Sequence, residues 1–180
     1  PLHDRAMHLS PVLSFLLDDA MQLSGPDALL TGLGWRLVAD GLPIAGGALT
    51  QAAPHPMIAR RTWLWRADTG EVIEALGLAG GELAGSATAD IGRDWLVGLG
   101  TSIIHGDSGN ASNPSHLSWA ATKPLSQSRL ELLHEVARFA AAPLALLEAR
   151  TTLAALLETY LGRRSAAQVL AGRLRRDAGE

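Results

Sequence analysis

Residues 57–66 have the sequence MIARRTWLWR, in which the two tryptophans are two positions apart and the residue types divide between alternate positions. Side chains along a β-strand point alternately to its two faces, so this alternation predicts a strand. One face carries both tryptophans of the segment, and it is expected to line either a core or a pocket. The predicted division places Arg60, Thr62, Leu64 and Arg66 on one face and Ile58, Arg61, Trp63 and Trp65 near the other.

The region around this strand, from residue 35 to about residue 121, contains frequent glycines and prolines and only short apolar runs. Such a distribution of glycine, proline and short apolar runs is typical of short strands joined by turns. It predicts five or six strands in total. Besides residues 57–66, the candidates are residues 36–40, 44–51, 72–76, 95–104 and 116–121. The polar segment GDSGNASNP, residues 106–114, predicts a hairpin loop between the last two.

Helical signals lie on the N-terminal side of these strands. Ser10 can cap a helix and Pro11 suits its first position, which predicts a helix over residues 10–24. A short second helix is expected over residues 27–33, and the glycines that follow should end it.

The chain becomes continuously helical in character after residue 125. Residues 129–161 contain no glycine and Ser126 can cap, which predicts a long helix over residues 126–162. Pro143 interrupts this pattern and predicts a kink or a break, because proline lacks the N–H donor of the helix ladder. A final short helix is expected over residues 165–176.

Strands grouped between helices predict an α+β fold with an antiparallel sheet. The layout resembles sensor modules of the GAF and PAS type, which carry a ligand pocket on one sheet face and signalling helices at both ends. We therefore expect a GAF-like sensor domain over residues 1–125, with its sheet over residues 35–121. Residues 126–162 form the dimerisation and signalling helix in this interpretation, and residues 163–180 form a linker.

An apolar stripe follows Pro143 on the long helix. Its members are spaced alternately by three and four residues, which is the a/d pattern of a coiled coil. A single helix would leave such a stripe exposed to water, so the pattern predicts a homodimer of parallel helices. The stripe consists of Leu146, Ala149, Leu153, Leu156 and Tyr160.

Composition excludes several classes of protein. The chain has 180 residues and 47% hydrophobic residues, which suits one globular domain. A net charge of −3 argues against nucleic-acid binding through bulk positive charge, and the absence of cysteine excludes disulfide scaffolds and thiolate chemistry. The most apolar stretch, residues 137–149, contains Arg138 and Glu148, so we expect no membrane span and a cytoplasmic location.

The tryptophans are the first candidates for a ligand pocket. The chain has five tryptophans but only one tyrosine and two phenylalanines. Trp63 and Trp65 share a strand face, while Trp35, Trp95 and Trp119 lie on other predicted strands. Aromatic rings that converge on one sheet face could hold a flat ligand, with Arg61 binding a carboxylate or phosphate. Simple filling of the core explains the same pattern.

Three histidines are further pocket candidates. His105 and His116 flank the polar loop, so a hairpin would bring them together, and imidazole is a common ligand of metals and haem. His55 lies between two prolines, which hold an extended segment. The alternative is that all three are ordinary polar residues of loops and turns. No cofactor follows from the residues alone, and no nucleophile motif or phosphate-binding glycine loop is present in the sequence.

Several segments resemble the region upstream of the catalytic domain in a group of alphaproteobacterial class III adenylate cyclases. They are LSWAATKP (117–124), LETYLGRRSAAQVLAG (157–172) and RRDAGE (175–180), with weaker similarity at APHP (53–56) and WLWR (63–66). The resemblance implies ATP, Mg²⁺ and cyclic AMP for the whole enzyme. The metal-binding aspartates of that family are expected downstream of residue 180, so this chain corresponds to the regulatory half.

Two functions remain open from the sequence. The chain is either a sensor that controls a cyclase through its C-terminal helix, or a ligand-free structural dimerisation domain with a filled core. Packing of the sheet face with Trp63 and Trp65 separates them, because a solid face needs no ligand. The expected partners are a second copy of the chain, the cyclase catalytic domain and a small molecule, with neither nucleic acid nor a membrane.

Overall fold

The computed structural model describes residues 9–53, 57–78, 91–110 and 113–173. Within them the chain forms helices before, between and after the strands of one sheet. The helices are α1 (Pro11–Asp18), α2 (Pro26–Ala39), α3 (Ile91–Val97), α4 (Gln127–Leu161) and α5 (Arg163–Leu170), with a 3-10 turn at Ala20–Gln22. The strands are β1 (Ile44–Ala52), β2 (Ile58–Arg66), β3 (Val72–Leu78), β4 (Ser102–Asn110) and β5 (Asn113–Ala121).

The five strands form one antiparallel sheet in the order β3-β2-β1-β5-β4. Strand β1 is central, and its Leu49 lies opposite Trp63 of β2 and Leu117 of β5. All neighbouring pairs are antiparallel, as expected for hairpins and a meander rather than for crossover units. The predicted α+β class with an antiparallel sheet and a long C-terminal helix is therefore confirmed.

One face of the sheet holds the main core, against α1, α2 and α4. The rings of Trp65 and Trp119 are fully buried there and meet edge to face at a centroid distance of 6.4 Å. Gly34 on α2 and Gly47 on β1 allow this close packing. A Cβ atom at Gly34 would lie 2.4 Å from the Trp65 ring, and one at Gly47 would lie 2.5 Å from the Trp119 ring.

The opposite face is covered by the short helix α3. Gly92 brings α3 close to the sheet, since a Cβ atom there would lie 3.2 Å from the Ala48 Cβ. Leu96 of α3 packs on Ala48, Leu64 and Ala120 in a second, smaller core. The sheet therefore separates the main core, which contains α1, α2 and α4, from the smaller core under α3. Helix α3 is short and leaves part of its face of the sheet uncovered.

The predicted strand at residues 36–40 is wrong. Residues 36–39 continue α2, which runs through both Gly32 and Gly34 and ends at Ala39. Trp35 consequently lies on a helix and is 45% exposed. Glycine usually weakens a helix, but these two glycines face the Phe15 and Trp65 rings at distances that no side chain could fit. Tertiary packing outweighs the local propensity here.

The predicted strand at residues 95–104 is also wrong in its first half. Trp95 lies in α3, and β4 begins only at Ser102, after the glycines at 98 and 100. The polar segment 106–114 does form a hairpin, although β4 extends to Asn110 and β5 starts at Asn113. The first helix is shorter than predicted, because α1 ends at Asp18 and a 3-10 turn follows.

Helix α4 does not break at Pro143, which is buried inside a continuous helix of 35 residues. The buried residues of α4 recur at intervals that place them on one side of the helix, and the last of them is Leu147. The part of α4 after Leu147 therefore extends beyond the core. Near this point Arg150 donates a hydrogen bond to the backbone carbonyl of Met21, which fixes α4 to the N-terminal turn. Helix α5 overlaps the predicted final helix but starts two residues earlier, directly after Gly162 with its positive φ of 76°, and ends at Leu170.

By length and composition alone, α4 could cross a membrane. The core helix of a soluble protein passes the same test. Leu133, Val136 and Ala140 of α4 are buried in the sheet-and-helix core of this domain, although only 22% of the most apolar window of the helix is buried. A soluble domain is thus consistent with the structure.

The β2–β3 turn carries a surface ion pair. Arg66 Nε and Nη2 donate to the two carboxylate oxygens of Asp68 at 2.9 Å and 2.6 Å. This hydrogen bonding holds the pKa of Asp68 below its usual value and raises that of Arg66. The pair is solvent-exposed, so it orders the turn without contributing much to stability.

Candidate functional site

A first cavity lies between the sheet and the second half of α4, and we name it the helix-side cavity. Its volume is about 510 Å³, within the range of small-molecule sites. The sheet contributes one wall and α4 the other. The lining residues are Pro26, Gln51, Ala52, Ala53, Ile58, Arg61, Trp63, Glu74, Leu76, Glu148, Thr151, Thr152, Ala155, Leu156 and Thr159.

The sheet wall of the helix-side cavity combines an aromatic ring with a charged pair. Arg61 Nε donates to Glu74 Oε1 at 2.6 Å, and the Arg61 guanidinium lies 5.1 Å from the centroid of the Trp63 ring. Gln51 beside them is buried and donates to Ser115 Oγ at 3.2 Å. A ligand with a flat apolar part and a polar edge would match this wall.

A register change explains how Ile58 joins this wall. Strand alternation alone would place Ile58 on the face of Arg60 and Thr62. The pairing of β2 with β3 shifts between Ile58 and Arg60, which is the signature of a bulge. Ile58 and Arg61 therefore line the same cavity, and the sequence had placed both near the same face of the strand.

The helix wall carries three threonines. Thr151 Oγ1 donates to the Leu147 carbonyl at 3.0 Å, and Thr159 Oγ1 donates to the Ala155 carbonyl at 2.8 Å. Both hydroxyl protons are therefore engaged within the helix, while the oxygen lone pairs stay available as acceptors. A ligand in the cavity would touch both the sheet and the part of α4 that extends beyond the core.

A second cavity lies on the opposite face of the sheet, beside α3, and we name it the histidine cavity. Its volume is about 310 Å³. It is lined by Ala48, Thr50, Arg60, Gly92, Arg93, His105, Asp107, His116 and Ser118.

Hydrogen bonds orient both imidazoles of the histidine cavity. His105 Nδ1 lies 2.9 Å from Ser118 Oγ, and His116 Nδ1 lies 2.9 Å from Asp107 Oδ1. A carboxylate only accepts, so His116 Nδ1 is the donor of its pair. The Nε2 atom of each ring is the nitrogen left for a ligand. Among the described residues, no group of three or more metal-ligating side chains is present, so a metal centre is not evident in this part of the chain.

The predicted pocket residues do not form one site. Trp63 and Arg61 line the helix-side cavity, whereas His105 and His116 line the histidine cavity on the other face. Trp65 and Trp119 are buried in the main core and line neither cavity. His55 lies outside the described residues.

Several lining residues were not singled out as pocket candidates from the sequence. Strand alternation places Arg60 opposite Arg61 and could have assigned it to the face of the histidine cavity. Glu74 could have been found as the cross-strand neighbour of Trp63, had the β2–β3 register been known. The threonines of α4 carried no signal, because their role depends on where the helix crosses the sheet.

The apolar stripe of α4 is largely exposed. Leu153, Leu156 and Tyr160 are 49%, 50% and 81% exposed, and Ala149 is exposed as well. With about 3.6 residues per turn, these positions lie roughly opposite Leu147, the last core residue of the helix. A partner could cover Ala149, Leu153 and Tyr160 without displacing the sheet, whereas Leu156 also lines the helix-side cavity.

Comparisons with protein-family models, with curated proteins and with solved structures find no match to this chain. The class of this protein is therefore defined here by its architecture alone. It is an α+β domain with a five-stranded antiparallel sheet, helices on both faces and a long C-terminal helix.

Proposed function

We propose that the chain is the regulatory sensor and dimerisation module of a cytoplasmic class III adenylate cyclase. In this role a GAF-like domain senses a small molecule and α4 transmits its bound state to the catalytic domains. The sequence resemblance in residues 157–172 and 175–180 supplies the cyclase part of the proposal. The observation that carries the module's role is the exposed apolar stripe on the part of α4 beyond the core.

The helix-side cavity supports a sensing role. Arg61 and Trp63 face it from the sheet, and Thr152 and Leu156 face it from α4. A ligand there would be in contact with both elements. Such a ligand changes the output only if it prefers one position of the helix over another, because equal binding to both positions shifts nothing.

The test joins the chain at residue 180 to a class III catalytic domain and measures the formation of cyclic AMP. Leu153→Gln combined with Tyr160→Gln is expected to lower the rate by about tenfold or more, since separation of the helices dilutes active sites that form between two copies. The matched control replaces exposed apolar residues elsewhere, Leu17→Gln and Val97→Gln. Equal rates in the two double variants would contradict the proposal.

The second candidate function is a structural dimerisation domain without a ligand. It is favoured by the full burial of Trp65 and Trp119, which fill the centre of the helix-covered face instead of lining a pocket. In that case the helix-side cavity is a surface cleft and α4 only holds two copies together.

Native mass spectrometry with an absorption spectrum of the same sample separates the two functions. For a sensor that retains its ligand, we expect a dimer with additional bound mass, and a visible band if the ligand is haem. A dimer without added mass, before and after exposure to cell metabolites, supports the structural domain. A monomer at all concentrations contradicts both functions.

A further inference from the structure

The histidine cavity has a floor of polar side chains that continues across four strands. In the strand register Asp107 lies opposite His116, His116 opposite Thr50, and Thr50 opposite Thr62. Hydrogen bonds join the outer pairs of this row, at 2.9 Å for Asp107 and His116 and at 3.0 Å for the two threonines. The neighbouring row is apolar at Ala48 and Leu64, where α3 packs. The threonines of the polar row also lie under α3, since a Cβ atom at Gly92 would lie 3.6 Å from Thr62 Cγ2 and 3.9 Å from Thr50 Oγ1.

Two guanidinium groups flank this floor. Arg60 of β2 and Arg93 of α3 line the cavity from different elements. Neither has a hydrogen-bond or ion-pair partner within residues 9–53, 57–78, 91–110 and 113–173. The Arg61 guanidinium on the other face, in contrast, is paired with Glu74. Within the described part of the chain, the histidine cavity is thus lined by two guanidinium groups without a carboxylate partner.

The balance of charge favours an anion. The cavity lining includes two arginines and two imidazoles but only one carboxylate, Asp107, which already accepts from His116. Guanidinium groups match the geometry of phosphate and carboxylate oxygens. The hydroxyl groups of Thr50 and Ser118 can add further hydrogen bonds.

We propose that the histidine cavity binds a small organic anion through a phosphate or carboxylate group held by Arg60 and Arg93. His105 and His116 line the same cavity, and each ring can donate to this group from Nε2 only in a form that carries a proton there. The cavity volume of about 310 Å³ suits a small metabolite rather than a drug-sized ligand. This site is independent of the helix-side cavity and of the stripe, so it holds whether or not the chain controls a cyclase.

The test titrates the intact chain with inorganic phosphate and, separately, with succinate at constant ionic strength maintained by chloride. We follow the imidazole resonances of His105 and His116 by NMR. Saturable shifts with one of the two probes are expected, and the stronger probe identifies the anionic group. Arg60→Gln combined with Arg93→Gln should weaken that binding by about tenfold or more, because charge-assisted contacts are lost.

The control removes the same charge elsewhere, with Arg129→Gln and Arg163→Gln, and should retain the native affinity. If the Arg60/Arg93 variant does not fold, His105→Gln with His116→Gln replaces it, and loss of binding is then followed by isothermal titration calorimetry. The proposal is overturned if neither probe binds saturably. It is also overturned if the arginine variant and its control bind the probe equally well.

Discussion

Replacing Trp65 by alanine is expected to lower the free energy of unfolding by about 3–5 kcal/mol, the usual cost of truncating a large buried aromatic residue. Trp65 is completely buried, and its ring meets Trp35 at 5.6 Å and Trp119 at 6.4 Å in edge-to-face contacts. Gly34 of α2 packs directly on it. Truncation would therefore leave a void between α2 and the sheet. Urea denaturation followed by far-ultraviolet circular dichroism measures the loss.

Two further variants test the cause of this effect. Trp65→Phe keeps an aromatic ring and removes an indole N–H that has no partner among the described residues, so it should cost clearly less than alanine. Trp35→Ala removes a half-exposed ring from the same cluster and should cost about 1 kcal/mol. If Trp65→Ala were no more damaging than Trp35→Ala, the assignment of Trp65 to the centre of the core would be wrong.

The combined replacement of Leu153 and Tyr160 by glutamine is expected to raise the dissociation constant of the proposed homodimer by about 100-fold or more. Burial of a leucine side chain contributes about 1.5–3 kcal/mol, and each copy of the dimer loses two apolar contacts. Glutamine is a good helix former, so α4 should stay intact. Leu156 is left unchanged, because it also lines the helix-side cavity. Sedimentation equilibrium over a range of concentrations measures the change.

Leu17→Gln with Val97→Gln is the matched control, since both residues are exposed, apolar and located on other helices. This control should dimerise like the native chain. A native chain that is monomeric at high concentration would contradict the role of the stripe. A stripe variant that dimerises as tightly as the control would place the interface on another surface.

The elements that form the main core show how much of this fold local sequence patterns predicted. The alternation in residues 57–66 identified β2 and the face shared by Arg61, Trp63 and Trp65. The glycine-free segment after Ser126 identified α4. Residues 36–39 were predicted wrongly as a strand, because two glycines normally end a helix. Here they allow α2 to approach the rings of Phe15 and Trp65, which lie on other elements.

The sites were less predictable than the strands and helices. The sequence predicted that the hairpin brings His105 and His116 close together, and the β4–β5 register does so. It also grouped these histidines with Trp63 and Trp65, whereas the register across β1 and β2 places them on the opposite face of the sheet. A shift of one residue in any of these pairings would exchange the two faces.

The sequence by itself determined most of the strands and the long helix α4, but neither α3 nor the full length of α2, and it determined the apolar stripe of α4 and the residue types available for binding. Each of these depends on neighbours within a few turns or strand positions along the chain. Only the tertiary structure decided that the helix-side cavity and the histidine cavity lie on opposite faces of the sheet, that Arg60 and Arg93 line the same cavity as the histidines, and that Ala149, Leu153 and Tyr160 of the stripe are exposed. Those features depend on strand register and helix packing between residues far apart in the chain, which local periodicity does not encode.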